Sequence, residues 1–293
     1  MRILIALLIL TIFLSCNRKS KKENSEQTQN MKDYVLEEDG GIYIEVFDST
    51  NIDENRYTAN NRIYKENISF TFSFEHITKD GEKLFFKNDT TKEESKYQWK
   101  FVKPNSEDKD IIEKVKISVK YGLEPMIQYV SEYNQSILQY DYPTINNALP
   151  FNSISGAIEN ENNVWIHPPR DKYFRILELN PFPFIKAPYK VGTSWEWKLG
   201  IGSSWGDERW KTWEGKIENQ YTYEITGKKI VETNFGKIEC FIITSNASSD
   251  IGKTKLTAYF NEHYGFIGLY YTNIDGSKTN LKLIEHSNKK TNE

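Results

Sequence analysis

The chain has 293 residues, of which 38% are hydrophobic, 27% charged and 14% aromatic, with a mean hydropathy of −0.65. That composition is polar but able to form a core, which excludes a polytopic membrane protein and a wholly disordered one. A formal net charge of −3 offers no basic excess to nucleic acid, and two cysteines exclude a disulfide scaffold and a four-thiolate metal site.

Arg2 is followed by Ile3–Leu14, apolar throughout except for Thr11. As a helix this run is about 18 Å long against about 30 Å of bilayer hydrocarbon, so residues 1–15 read as a secretory leader and not as a span. The leader closes on Phe13-Leu14-Ser15-Cys16. This resembles the lipobox of bacterial lipoproteins, and in particular of Bacteroidota, where Ser before the cysteine is common. It departs from the general pattern at Phe13 and Ser15, where Leu and Gly or Ala are preferred. The resemblance implies cleavage before Cys16, lipidation of its thiol, and an envelope protein held to the membrane through that lipid. Asn17 stands where Asp would favour inner-membrane retention, which implies the outer membrane. Arg18, Lys19, Lys21 and Lys22 favour its periplasmic face over the cell surface. The alternative is an unlipidated leader or an ordinary core helix. Residues 16–33, rich in Lys, Ser, Asn, Gln and Glu, read as a disordered tether.

From Tyr34 onward period-two patterns dominate. Strands are expected over Gly41–Phe47, Asn67–Phe74 and Glu113–Tyr121. In the last of these Val115, Ile117, Val119 and Tyr121 share one face, while Lys114, Lys116, Ser118 and Lys120 share the other. A short helix is expected over Ser131–Leu138. Residues 34–150 thus form an N-terminal β-rich region. Residues 151–188 form a connecting segment within Asn146–Lys190, a stretch that holds six of the nine prolines. Proline removes a ladder donor, so this is no continuous central strand. It is either a linker between two β-units or a long crossing loop packed by Trp165, Phe174, Phe182 and Phe184.

Residues 189–285 read as an antiparallel meander. Its strands are Thr193–Leu199, Ile217–Thr226, Lys228–Thr233, Lys237–Thr244, Lys253–Asn261, Phe266–Asn273 and Lys278–Glu285, with turns at Asn234-Phe235-Gly236 and Asp275-Gly276. Residues 286–293 are a polar tail. The fold class is all-β, with antiparallel meander sheets in a curved half-barrel or sandwich; one continuous sheet or two remain open. Cys240, inside an apolar strand, reads as a small buried residue and not as a reactive thiol.

Four segments of this block are Tyr189–Trp195, Tyr223–Thr233, Phe235–Cys240 and Tyr259–Ile267. Their order resembles the curved sheet of the TapB-like group of bacterial envelope proteins, over about a third of the chain. The resemblance implies a sheet that cups an apolar ligand, and it carries over no active-site residue.

Trp195, Trp197, Trp205, Trp210 and Trp213 cluster within nineteen residues. Broad indole faces either line a ligand site or pack the sheet. His167-Pro168-Pro169-Arg170-Asp171 joins a histidine, an arginine and a carboxylate in a stiff loop. A hydrolytic triad there would need Ser153 or Ser155, but no nucleophile-elbow sequence is present. The plainer reading is local pairing of Arg170 with Asp171. The glycines of 200–206 lack the basic residue and helix of a phosphate loop. His76, His167, His263 and His286 have no zinc spacing, and no cofactor is expected. The acidic turns 51–55 and 106–110 could attract calcium but read as solvated loops. The expectation is a lipid-anchored, non-enzymatic envelope protein. It would bind an apolar ligand or a partner protein at the outer membrane. The alternatives are a glycan-binding accessory protein using the tryptophans and an envelope hydrolase built on His167.

Overall fold

Alternation of buried and exposed residues sets the architecture. In the computed structural model, residues 35–46, 61–94, 98–104, 107–120 and 135–288 are described. The leader, Cys16, the tether, the turn at 51–55 and residues 131–134 lie outside the described residues. Among the described residues there are sixteen strands: β1 (Val35–Asp39), β2 (Ile42–Val46), β3 (Ile68–Ile77), β4 (Lys83–Asn88), β5 (Trp99–Val102), β6 (Lys114–Val119), β7 (Ser136–Asp141) and β8 (Asn152–Glu159), then β9 (Asn163–Ile166), β10 (Phe184–Lys186), β11 (Ser194–Gly202), β12 (Lys216–Thr233), β13 (Gly236–Ser249), β14 (Gly252–Asn261), β15 (Gly265–Thr272) and β16 (Lys278–Asn288). β1 and β2 make a separate hairpin. The other fourteen form one antiparallel sheet, in the order β10-β9-β8-β7-β6-β3-β16-β15-β14-β13-β12-β11, with β4 and β5 branching from β3. The sheet curls into a nearly closed barrel.

One sheet therefore contains strands from both the 34–150 and the 189–285 regions. β16 joins them, pairing Leu283 with Phe72 and Leu281 with Phe74. β12 shows the pattern most clearly: Ile217, Asn219, Tyr221, Tyr223 and Ile225 are buried, and the residues between them are exposed. The two strands expected over 217–233 are one strand. Gly227 marks a register shift and not a turn, since a bulge also accommodates glycine inside a ladder. The helix expected at 131–138 is overturned over Ser136–Leu138, which belong to β7 and pair with β8. Alternation of Ser136, Leu138 and Tyr140 into the core outweighs their helical propensity. The polar tail begins later than expected, because His286–Asn288 extend β16 along β3.

The proline-rich segment is neither a linker nor one long crossing loop: it supplies β8, β9 and β10 to the sheet, and only residues 167–183, between β9 and β10, form a crossing loop, which packs its side chains into the core. A 3-10 helix at Lys172–Leu179 starts at Asp171, whose Oδ1 accepts the Lys172 N–H. Residues three apart eclipse on a 3-10 helix, so Tyr173, Ile176 and Leu179 form one face and Phe174 and Leu177 a second; all five are buried. Phe174 packs within 5.1 Å of Phe74 and 5.2 Å of Tyr142, ring centre to ring centre. Inward polar side chains of the wall satisfy the loop's backbone. Asn219 and Thr254 donate to Leu179 O at 3.1 and 2.8 Å, and Tyr223 donates to Phe182 O at 3.2 Å. Asn180 Nδ2 in turn donates to Thr272 O at 3.0 Å.

Candidate functional site: a cleft at the barrel seam

The sheet's two edges, β10 and β11, are consecutive in sequence and do not pair with each other. The β1–β2 hairpin crosses this seam. On one side Asn160 and Asn163 bind the backbone of Tyr43, and Lys186 Nζ donates to Gly41 O at 3.0 Å. On the other, Gly41 has φ +101°, and a Cβ placed there would lie 2.7 Å from Glu196 O of β11. A side chain at position 41 would push the hairpin off the seam.

Between hairpin, seam and crossing loop lies a cleft of about 470 Å³. Its aromatic floor is Trp165, Phe182 and Trp197. Trp165 and Trp197 meet edge to face at 6.0 Å, and Phe182 is 5.3 Å from Trp197. Trp197 comes from β11, with its indole also stacked on Tyr221 at 4.9 Å. The hairpin contributes Ile42 and Ile44 to the wall. Trp205 borders the cleft from the 3-10 turn Ser203–Trp205 that follows β11.

Polar groups reach the cleft from Asp39, Gln135 and Lys198 and, most closely grouped, from the crossing loop. Lys172, Arg175 and Glu178 fall on the third face of its 3-10 helix, and Glu178 is turned into the fold at 4% exposure. Glu178 Oε1 lies 3.2 Å from His167 Nε2 and 3.7 Å from Arg170 Nε. Neither contact has hydrogen-bond geometry, and Oε1 has no hydrogen-bond donor among the described residues. His167 Nδ1 faces Pro168 O at 2.8 Å. Pro168 and Pro169 fix the backbone at this corner, which Tyr140 OH also holds by donating to His167 O. The guanidinium groups of Arg170 and Arg175 lie 4.8 and 4.9 Å from the Trp205 ring. Arg175 also donates to Ser204 O, which anchors that turn. Burial lowers the Arg175 pKa, partly offset by Asp207, Glu178 and Asp171; burial raises that of Asp171.

Of the residues singled out in the sequence, His167, Arg170, Trp197 and Trp205 converge here. Trp195 lies two residues along β11 from Trp197, stacked on Tyr223 at 5.3 Å and against Phe184. Trp210 is elsewhere, parallel to Trp99 at 6.4 Å beside the Arg209–Asp207 ion pair. Trp213 packs beside Gly206. The local pairing expected of Arg170 with Asp171 is replaced: Asp171 caps the 3-10 helix, and Arg170 faces Glu178. Ser153 Oγ is bonded to Tyr142 OH at 2.9 Å and not to His167. In the acidic turn at 106–110, Asp108 pairs with Lys87 at 2.6 Å. Glu178 was missed in the sequence. Its signal was there: polar residues every third position through an otherwise apolar, proline-led run.

No family model and no curated protein matches the chain. Among solved structures it is similar to a presumed lipoprotein from Parabacteroides distasonis, at 9% identity and TM-score 0.42, over 77% of this chain and 97% of the other. It is also similar to a presumed exported protein with a YmcC-like fold from Bacteroides fragilis, at 10% identity and TM-score 0.36, over 76% and 96%. A third is the hypothetical lipoprotein YmcC from Escherichia coli, at 8% identity and TM-score 0.32, over 74% and 84%. At these values the likenesses carry no argument about this chain.

Proposed function

We propose that this is a lipid-anchored envelope protein whose β-barrel binds a small organic ligand in the seam cleft without transforming it. The observation that carries the binding site is the convergence of His167, Arg170, Trp197 and Trp205 on one cleft, from segments up to 38 residues apart in sequence. Such a mix of flat apolar walls and few polar groups is the usual make-up of a small-molecule site. Binding without catalysis is supported by the partners of His167, which are a backbone carbonyl and a carboxylate, with no hydroxyl nucleophile in hydrogen-bond reach among the described residues.

The address rests on the leader and Cys16. Asn17 and the basic run after it support an outer-membrane, periplasm-facing position, and the TapB-like segments belong to the same reading. One acyl chain gives only reversible attachment, so the anchor needs two or more. Metabolic palmitate labelling of the chain and its Cys16→Ser variant tests this. Label is expected in the first and absent from the second; label persisting in the variant overturns the anchor. For the cleft, Trp205→Ala should diminish ligand-induced quenching of indole fluorescence. Equal quenching in both proteins would remove the cleft from the account.

A further inference from the structure

The cleft contains a buried carboxylate oxygen that His167 Nε2 and Arg170 Nε approach to 3.2 and 3.7 Å without hydrogen-bond geometry. Glu178 is 4% exposed, and its Oε1 lacks a hydrogen-bond donor among the described residues. Leaving a buried acceptor unpaired is destabilising, and more so for a charged one. Trp165 Nε1, on the same cleft, is a buried donor also without a partner among the described residues. Arg170 lies next to Glu178 with about a third of its side chain exposed. The cleft thus holds an acceptor and donors beside flat aromatic faces.

Four ligand chemistries can be weighed against this arrangement. An acyl chain would cover Glu178 and Trp165 and supply neither with a partner, so both desolvation costs would remain. An anion would gain from Arg170 but meet the Glu178 carboxylate, and a cation would meet the reverse. A neutral hydroxyl both donates and accepts. It can give its proton to Glu178 Oε1 while taking one from Arg170 or Trp165. Adjacent hydroxyls on a ring would use both sides of the pair, and the ring's C–H face would lie on Trp197 or Trp205.

We infer that the ligand of the seam cleft is a neutral saccharide ring, held by hydroxyl hydrogen bonds to Glu178 and stacked on tryptophan. This rests on the cleft being a ligand site, and the test separates the two ideas. The full chain would be titrated with hexoses, 6-deoxyhexoses, N-acetylhexosamines and their disaccharides. In parallel it would be titrated with the neutral apolar dye N-phenyl-1-naphthylamine, with tryptophan emission and calorimetry as readouts. Glu178→Gln keeps the side chain's shape and removes the charged acceptor. It should weaken saccharide binding by about 10-fold to 100-fold, as expected for a hydrogen bond to a charged group, and by more than it alters binding of the dye, which has no hydroxyl to donate. Trp205→Ala, at a partly exposed position, should weaken both and serves if Glu178→Gln does not fold. Saccharide affinity equal to the unsubstituted protein's in Glu178→Gln overturns the inference. Dye binding sensitive to Trp205→Ala, with no saccharide bound, overturns it but keeps the ligand site. Binding of neither overturns both.

Discussion

The side-chain amide of Asn163 pairs with the backbone of Tyr43 as a neighbouring strand residue would. Tyr43 N donates to its Oδ1 at 2.7 Å, and its Nδ2 donates to Tyr43 O at 3.2 Å. Asn163 is fully buried, and with Asn160 and Lys186 it fastens the hairpin to the barrel. Replacing it by leucine leaves a backbone donor without its partner, at about 1–3 kcal/mol. Asn163→Leu should therefore speed amide exchange across Ile42–Ile44 and leave exchange in β12–β14 as it was. Unaltered protection of the hairpin in the variant would show that it is held by other means.

Acid should loosen the link between crossing loop and wall. His76 is buried on β3, stacked on Phe101 at 4.3 Å, with Nδ1 2.8 Å from Tyr173 OH. Burial pulls its pKa down to about 4, with only a small opposing effect of Asp275. In the unfolded chain the ring takes up a proton near pH 6.5, and in the folded chain only near pH 4. Between those values unfolding binds a proton, so stability falls as pH falls, by about 3 kcal/mol once the window is crossed. Urea unfolding of the protein and of His76→Gln across this window should show a shallower loss for the variant. Parallel curves would assign the acid sensitivity to other groups.

Glu159 holds a turn of backbone by its carboxylate. Oε1 accepts from Arg62 N at 2.7 Å and Ile63 N at 2.9 Å, and Oε2 accepts from Tyr64 N at 2.8 Å. Burial raises its pKa, and those three amides oppose the rise. Glutamine has the same shape but turns an NH₂ toward an N–H. Glu159→Gln should cost about 2–3 kcal/mol, read as a lower urea midpoint at an unchanged slope. A midpoint within error of the parent would mean that the turn keeps its shape unaided.

Cys240 points inward from β13 with no exposed surface, and burial pushes its thiol up to about 11. The thiolate is the reacting form, so the native protein near about pH 8 should resist iodoacetamide at this site. The peptide containing Cys240 should be alkylated in denaturant and spared without it. Comparable labelling in both would place the thiol at the surface.

The meander after Tyr189 was legible because its strands alternate and its turns carry glycine or Asn–Gly-type signals. The Ile225–Gly227 bulge was not, since a lone glycine in a strand pattern looks the same as a turn until the partner register is known. Residues 136–138 failed for a different reason: the segment is short, and only the neighbouring β8 decides that it is extended. The prolines and aromatics of 146–190 pointed to a linker or a crossing loop and hid β8, β9 and β10, which lie within that stretch. The loop at 167–183 is held by Asn219, Thr254 and Tyr223, inward polar residues on distant strands that read in sequence as ordinary alternation. Four cleft residues stood out as unusual types in unusual company. Glu178 did not, because its importance comes from burial, and charge alone does not announce burial.

β16 lies between β3 and β15, some two hundred residues apart in the chain. Until it is in place, the wall can exist only as two flaps, each with a raw hydrogen-bonding margin. A chain folded only as far as Asp275 contains nothing that can shut. During that interval both margins are open to rogue pairing with other chains. Losing β16 should therefore cost more than eleven residues' worth of contacts, leaving a slit down the middle and an invitation to aggregate.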